Sequence, residues 1–130
     1  MIVDSSVLVA ILQGEPEAER LARVLSLSPR SKLPASCYIE TSMVLLGRRG
    51  EAGFFEIDAL VANSGLQIVP FTASQARIAR EAFRRYGKGR HPAGLNFGDC
   101  MSYALAREAG EELLFKGTHF GLTDIAVAAY

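Results

Sequence analysis

Short apolar runs alternating with longer stretches of helical period restrict this chain of 130 residues to few architectures. The first run, Met1-Ile2-Val3-Asp4, passes through two serines into Val7-Leu8-Val9-Ala10-Ile11-Leu12 and predicts a buried strand turning directly into a helix. A second helix should begin near Pro16, with Ala18, Leu21, Ala22 and Leu25 on one stripe, and stop at the Ser-Pro-Arg-Ser break of 28–31. Lys32-Leu33-Pro34 predicts a weak strand, and Ser36 is placed to cap a helix carrying Ile39, Met43, Val44 and Leu46 up to the break between Gly47 and Gly50.

A further helix over 51–63 should end at Gly65, followed by a strand over 66–70. Thr72-Ala73-Ser74-Gln75 has capping-box spacing, which predicts a helix burying Ile78, Ala79, Ala82, Phe83 and Tyr86. The segment from Lys88 to Phe97, broken by Gly89, Pro92 and Gly94, is longer than ordinary α/β connections, and loops of that kind often carry function. A helix over 99–108, a strand over 112–115 and a last short strand over 125–128 complete an α/β pattern. The expected product is one domain over 1–130, with a mostly parallel sheet covered on both faces.

Composition limits the classes of function. With 49% hydrophobic and 22% charged residues the chain can bury a core without staples. Fourteen basic and fourteen acidic side chains cancel, so any contact with nucleic acid must come from a local patch. No signal-peptide pattern or membrane-length apolar run is present, which predicts a cytoplasmic protein with no membrane partner. Cys37 and Cys100 lie in helical segments without metal-binding spacing and are expected to be reduced, buried thiols.

Three acids stand where chemistry is expected. Asp4 ends the first strand, the edge at which parallel sheets bind ligands, although an Asp there also suits a helix cap. Glu40 has Ser36, Cys37, Met43 and Val44 as helical neighbours; a carboxylate buried on such a face costs several kcal/mol, on the order of the penalty for a buried ion, unless a cation, donors or water reach it. Asp99 opens a helix after the glycine-rich loop, where the free N–H groups favour an acid. If the fold gathers them, their repulsion calls for a divalent cation, and oxygen ligands without Cys or His select Mg²⁺ or Mn²⁺ over zinc. Such a site suits hydrolysis of a phosphodiester.

The strings Ile2-Val3-Asp4-Ser5-Ser6-Val7-Leu8, Ser36-Cys37-Tyr38-Ile39-Glu40, Lys88-Gly89-Arg90-His91 with Leu95-Asn96-Phe97-Gly98-Asp99-Cys100, and Leu113-Leu114-Phe115-Lys116-Gly117 together resemble PIN-domain toxins of the VapC type, from residue 1 to about 128. That resemblance implies a PIN-like three-layer α/β/α fold and a Mg²⁺- or Mn²⁺-dependent endoribonuclease, the toxin of a type II toxin–antitoxin module, blocked by a small antitoxin. It implies Asp4 and Asp99 as metal-binding acids, Glu40 as the middle acid of the catalytic set and Ser6 as the hydroxyl supporting the first acid. The family's usual fourth acid is replaced here by His119, with Asp124 the nearby acid able to substitute.

Arg77, Arg80 and Arg84 share a helical stripe that Arg85, Lys88, Arg90 and His91 extend into the loop; Lys88 and Arg90 are the candidate RNA contacts. The apolar surplus of Phe54, Phe55, Ile57, Leu60 and Val61, with the resemblance, predicts a homodimer and a hydrophobic groove for an antitoxin helix. The alternative is a PIN fold that binds RNA or protein without cutting, which the missing fourth acid favours.

Overall fold

A computed structural model describes all 130 residues. Four parallel strands, β1 (Ile2–Val3), β2 (Lys32–Pro34), β3 (Gln67–Val69) and β4 (Leu113–Leu114), form one sheet in the order β3-β2-β1-β4. Six helices flank it: α1 (Ser5–Leu12), α2 (Ala18–Leu27), α3 (Ala35–Arg49), α4 (Ala52–Asn63), α5 (Ala73–Tyr86) and α6 (Phe97–Ala109); a 3₁₀ turn spans His119–Leu122. The last expected strand is reduced to a bridge between Leu113 and Val127 at the β4 edge.

Strand pleating divides the core. Ile2 and Leu113 face one side, packing with Tyr86, Leu95, Tyr103, Phe115 and Phe120, whereas Val3 and Leu114 face the other, packing with Leu8, Leu21, Leu25, Leu33, Leu45 and Ile57. All four of these residues are fully buried, the pattern of parallel strands covered on both faces. The alternation places α5 and α6 on one side of the sheet and α1 to α4 on the other, a three-layer α/β/α arrangement.

Three expectations change. Ser36 does not cap α3: β2 runs directly into the helix, Pro34 occupies the cap position without a side-chain bond, and the Ser36 hydroxyl is buried without a partner. The helix continues through Gly47 and stops at Gly50, whose φ of +64° suits glycine. Phe83 is 41% exposed, because α5 packs through Ala82 and Tyr86 and leaves Phe83 on its flank. The 88–96 loop is no loose excursion: Leu95 N donates to Tyr86 O and Lys88 N to Leu95 O, and Ala93 and Leu95 are buried.

At the lower sheet edge Glu111 accepts from the N-terminal ammonium at 2.6 Å and pairs with Lys32, tying β1, β2 and the start of β4 together. Hydrogen bonds from Lys32 and then the N-terminus hold its carboxyl below the ordinary glutamate value. A depressed carboxyl stabilises the fold above the unfolded-state pKa, and that contribution disappears as pH falls through the folded value. Glu111→Gln should therefore lower stability by about 1 kcal/mol at pH 7. Urea unfolding of both proteins across pH should show the gap closing in acid.

Candidate metal-dependent active site

The upper edge of the sheet gathers the acids because β1 and β4 are neighbours. Asp4 N donates to Leu114 O at 3.0 Å, continuing the β1–β4 ladder to the residue that ends the strand. Asp4 then caps α1: its Oδ2 accepts from Ser6 N at 2.9 Å and from Ser6 Oγ at 2.7 Å. The Ser6 hydroxyl in turn accepts from Lys116 N at 3.0 Å, just past β4. The other carboxylate oxygen, Oδ1, accepts from Ser102 Oγ of α6 at 2.6 Å.

Asp4 is 3% exposed and is met only by neutral donors. A carboxylate held out of water by neutral donors favours a positive charge beside it, because a buried ion carries an effective penalty of several kcal/mol that a cation relieves. The capping role and the charge-binding role are compatible, since capping occupies one oxygen.

Asp99 is the third residue of α6 and belongs to a reciprocal capping box with Asn96: Asn96 N donates to Asp99 Oδ2 at 2.8 Å, and Asp99 N to Asn96 Oδ1 at 2.9 Å. Asp99 Oδ1 lies 3.4 Å from His119 Nε2, too long for a good hydrogen bond but close enough for attraction. The Asp99 carboxylate raises the His119 imidazole above its ordinary value, against the opposing effect of burial, with Asp4 adding to the field. His119 is edge-on to Phe115 and tilted against Phe120, which fix its ring beside the acid.

Glu40 forms the rim. Partial burial raises its carboxyl above the usual range; a bond from Ser5 opposes this, and the charges of Asp4 and Asp99 add to the rise. Its surroundings differ from the expected buried face: α3 packs through Cys37, Thr41 and Leu45, one turn apart, while Ile39 and Met43 are 58% and 67% exposed. Glu40 therefore reaches solvent, which relieves the penalty that full burial would impose.

No three Asp, Glu, His or Cys side chains are close enough to hold an ion by themselves. The donor set nevertheless fits a hard cation. Asp4 and Asp99 are oxygen donors from separate elements, and Mg²⁺ characteristically retains several waters while bound by one or two carboxylates. Asp124 stands apart from this group: its carboxylate accepts from Tyr103 Oη at 2.7 Å and pairs with Arg85 at 3.4 Å and Arg107 at 3.5 Å, so it does not take the place of a fourth acid beside Asp4 and Asp99. Lys88 and Arg90 are exposed on the loop before α6, with the Arg90 guanidinium 6.0 Å from the Phe83 ring centre.

Three residues of the site were not singled out by sequence reasoning. Asn96 carried a readable signal, an amide three residues before an acid. Ser102 carried only the oddity of a hydroxyl among Tyr103, Ala104 and Leu105. At Gly98 a Cβ would lie 2.9 Å from Glu40 Oε2, so the absence of a side chain makes room for that carboxylate.

Beside Glu40 opens an apolar cleft of about 560 Å³, lined by Ile39, Met43, Val44, Phe97, Gly98 and Met101. It adjoins a second of about 600 Å³ containing Phe54 and Phe71 and a third of about 460 Å³ containing Phe71, Phe83 and Phe97. Phe97, at 79% exposure, is the most exposed large apolar side chain of the molecule.

Residues 1–126 match the PIN domain, and the chain belongs to that family. Within it the similarity is to VapC proteins. The chain is 49% identical over 126 residues to Ribonuclease VapC of Mycolicibacterium smegmatis, covering 97% of this chain and 98% of the relative. It is 46% identical over 129 residues to Ribonuclease VapC30 of Mycobacterium tuberculosis, covering 99% and 98%. In fold it resembles the sarcin-ricin loop cleaving toxin VapC20 of M. tuberculosis, with TM-score 0.80 and 19% identity over 99% and 98% of the two chains. A toxin–antitoxin complex from Klebsiella pneumoniae superposes at TM-score 0.74 with 18% identity over 99% and 97%.

Gly98→Ala tests the rim. The added methyl meets the end of a flexible side chain rather than backbone, and alanine favours a helix by roughly 0.5–1 kcal/mol over glycine. The variant should melt at or slightly above the wild-type temperature, while its crystal structure shows the Glu40 carboxylate displaced.

Proposed function

We propose that this chain is the toxin of a type II toxin–antitoxin module, a Mg²⁺- or Mn²⁺-dependent endoribonuclease that hydrolyses RNA phosphodiester bonds and is neutralised by a cognate antitoxin. The ribonuclease names of the VapC relatives support it. The observation that carries it is the buried Asp4 carboxylate, fixed by neutral donors with no Lys or Arg bonded to it.

On this reading Asp4 and Asp99 hold the cation, with Ser6 fixing the first acid and Asn96 the second. A bound divalent ion supplies an activated water and neutralises charge building on a phosphate oxygen. Glu40, at the rim, is placed to exchange a proton at its Oε atoms with a water or leaving group. His119, beside Asp99, offers a ring nitrogen to a phosphate oxygen. Lys88 and Arg90 contact the RNA backbone beyond the site.

Purified protein should cleave RNA only with divalent metal; EDTA should abolish cleavage and added Mn²⁺ restore it. Asp99→Asn keeps a side-chain oxygen for the Asn96 cap and should fold normally, yet lose at least about 100-fold in rate, of the order reported for loss of a charge-stabilising group. Equal activity in both proteins, or none in either, supports instead a PIN fold that binds without cutting.

The antitoxin seat on this reading is the apolar trough beginning at Glu40, because an exposed apolar patch of this kind marks a partner surface. An amphipathic antitoxin helix laid there would cover Met43 and Phe97 and bring its following segment to the acids. Met43→Glu should weaken antitoxin binding at least tenfold by calorimetry. Sedimentation should show the free chain as a homodimer.

A further inference from the structure

We infer that Ser102 is a positioning residue for the first acid of the site, acting through the hydrogen bond its hydroxyl donates to Asp4; Cys37 stands at the start of this relay, but its thiol is not needed to hold the Ser102–Asp4 bond. The inference rests on the nuclease reading above. Ser102 lies in the middle of α6 and is 0% exposed. Its hydroxyl is 2.6 Å from Asp4 Oδ1 and 3.1 Å from Cys37 Sγ, while Cys37 Sγ is 4.0 Å from the same Asp4 oxygen. Residues 4, 37 and 102, from β1's end, α3 and α6, thus meet in one buried cluster.

Proton counting gives the relay its direction. An ionised carboxylate only accepts, so the single hydroxyl proton of Ser102 is committed to Asp4. Ser102 then has only lone pairs to offer the sulfur, and the Cys37 S–H must be the donor. A buried cysteine is a protonated thiol under ordinary conditions, so Cys37 donates to Ser102 while the Ser102–Asp4 bond stands on the serine's own proton.

Asp4 consequently receives donors on both oxygens: Ser6 N and Oγ on Oδ2, Ser102 Oγ on Oδ1. Ser6 holds one oxygen of a group whose terminal torsion is broad for Asp. The bond from α6 holds the other oxygen and narrows that torsion further. It also ties the acid's orientation to the helix that carries Asp99 three residues earlier, so the two acids keep a fixed relative placement.

Mn²⁺ affinity by titration calorimetry, RNA cleavage and thermal melting should be compared in wild type, Ser102→Ala, Ser102→Thr and Cys37→Ala. Ser102→Ala is expected to remain folded, to bind Mn²⁺ about 10- to 100-fold more weakly, as for loss of an outer-shell partner, and to lose kcat with KM for RNA little changed. Ser102→Thr restores the hydroxyl and should recover affinity to within about threefold of wild type. Cys37→Ala makes a comparable packing defect but leaves the Ser102–Asp4 bond, and should bind Mn²⁺ like wild type.

Ser102→Ala matching wild type in Mn²⁺ affinity and cleavage would overturn the assignment, as would Cys37→Ala losing affinity equally. Should Ser102→Ala melt below the assay temperature, Ser102→Thr decides: retained affinity supports the role and a tenfold loss rejects it. Wild type that neither binds Mn²⁺ nor cuts RNA removes the nuclease reading and this assignment together. An active wild type beside an indifferent Ser102→Ala removes this assignment alone.

Discussion

A single buried carboxylate organises the upper edge of the sheet in this protein. Asp4 ends β1, caps α1, meets the segment after β4 through Ser6 and Lys116, and reaches α6 through Ser102. Each contact is an ordinary hydrogen bond, of the order of 1–3 kcal/mol where the acceptor is charged. Their importance lies in connecting four elements at one point. These neutral dipoles offset the cost of keeping the anion out of water, and a cation placed beside it would stabilise it further.

Around that point charge is divided between two regions. Asp4, Glu40, Asp99 and His119 influence one another electrostatically, whereas Asp124, Arg85, Arg107 and Tyr103 form a separate set on the flank of α5 and α6. The separation explains why nearness in sequence was a poor guide. His119 and Asp124 are five residues apart, but the 3₁₀ turn over His119–Leu122 carries the chain from one region to the other.

The α/β alternation was legible because β1 and β4 are apolar throughout, and the neighbouring positions of these first and fourth runs follow once the sheet order is known. Asp99 at a helix start was legible as well, though α6 opens two residues earlier under the Asn96 cap. Glu40 was misjudged in its surroundings, since an apolar stripe on a helix looks the same whether it lies against a core or an open cleft. Phe83 failed for the same reason. Ser36 failed because α3 opens at Ala35, which leaves Ser36 inside the first turn and puts Pro34, with no side-chain acceptor, at the cap position. Ser102 lies 98 residues from Asp4 along the chain, so only the packing of α6 over β1 could reveal it.

The open trough beside Glu40 gives the surface a double character. Its aromatic side chains are the part of the molecule that water tolerates least, and they border the part with the most polar task. On the antitoxin reading, one ligand shields the greasy wall and obstructs the entrance in the same act. Shelter and restraint would then be hard to separate by selection: a chain that replaced Phe97 and Met43 with hydrophilic residues would gain solubility and forfeit its own off-switch.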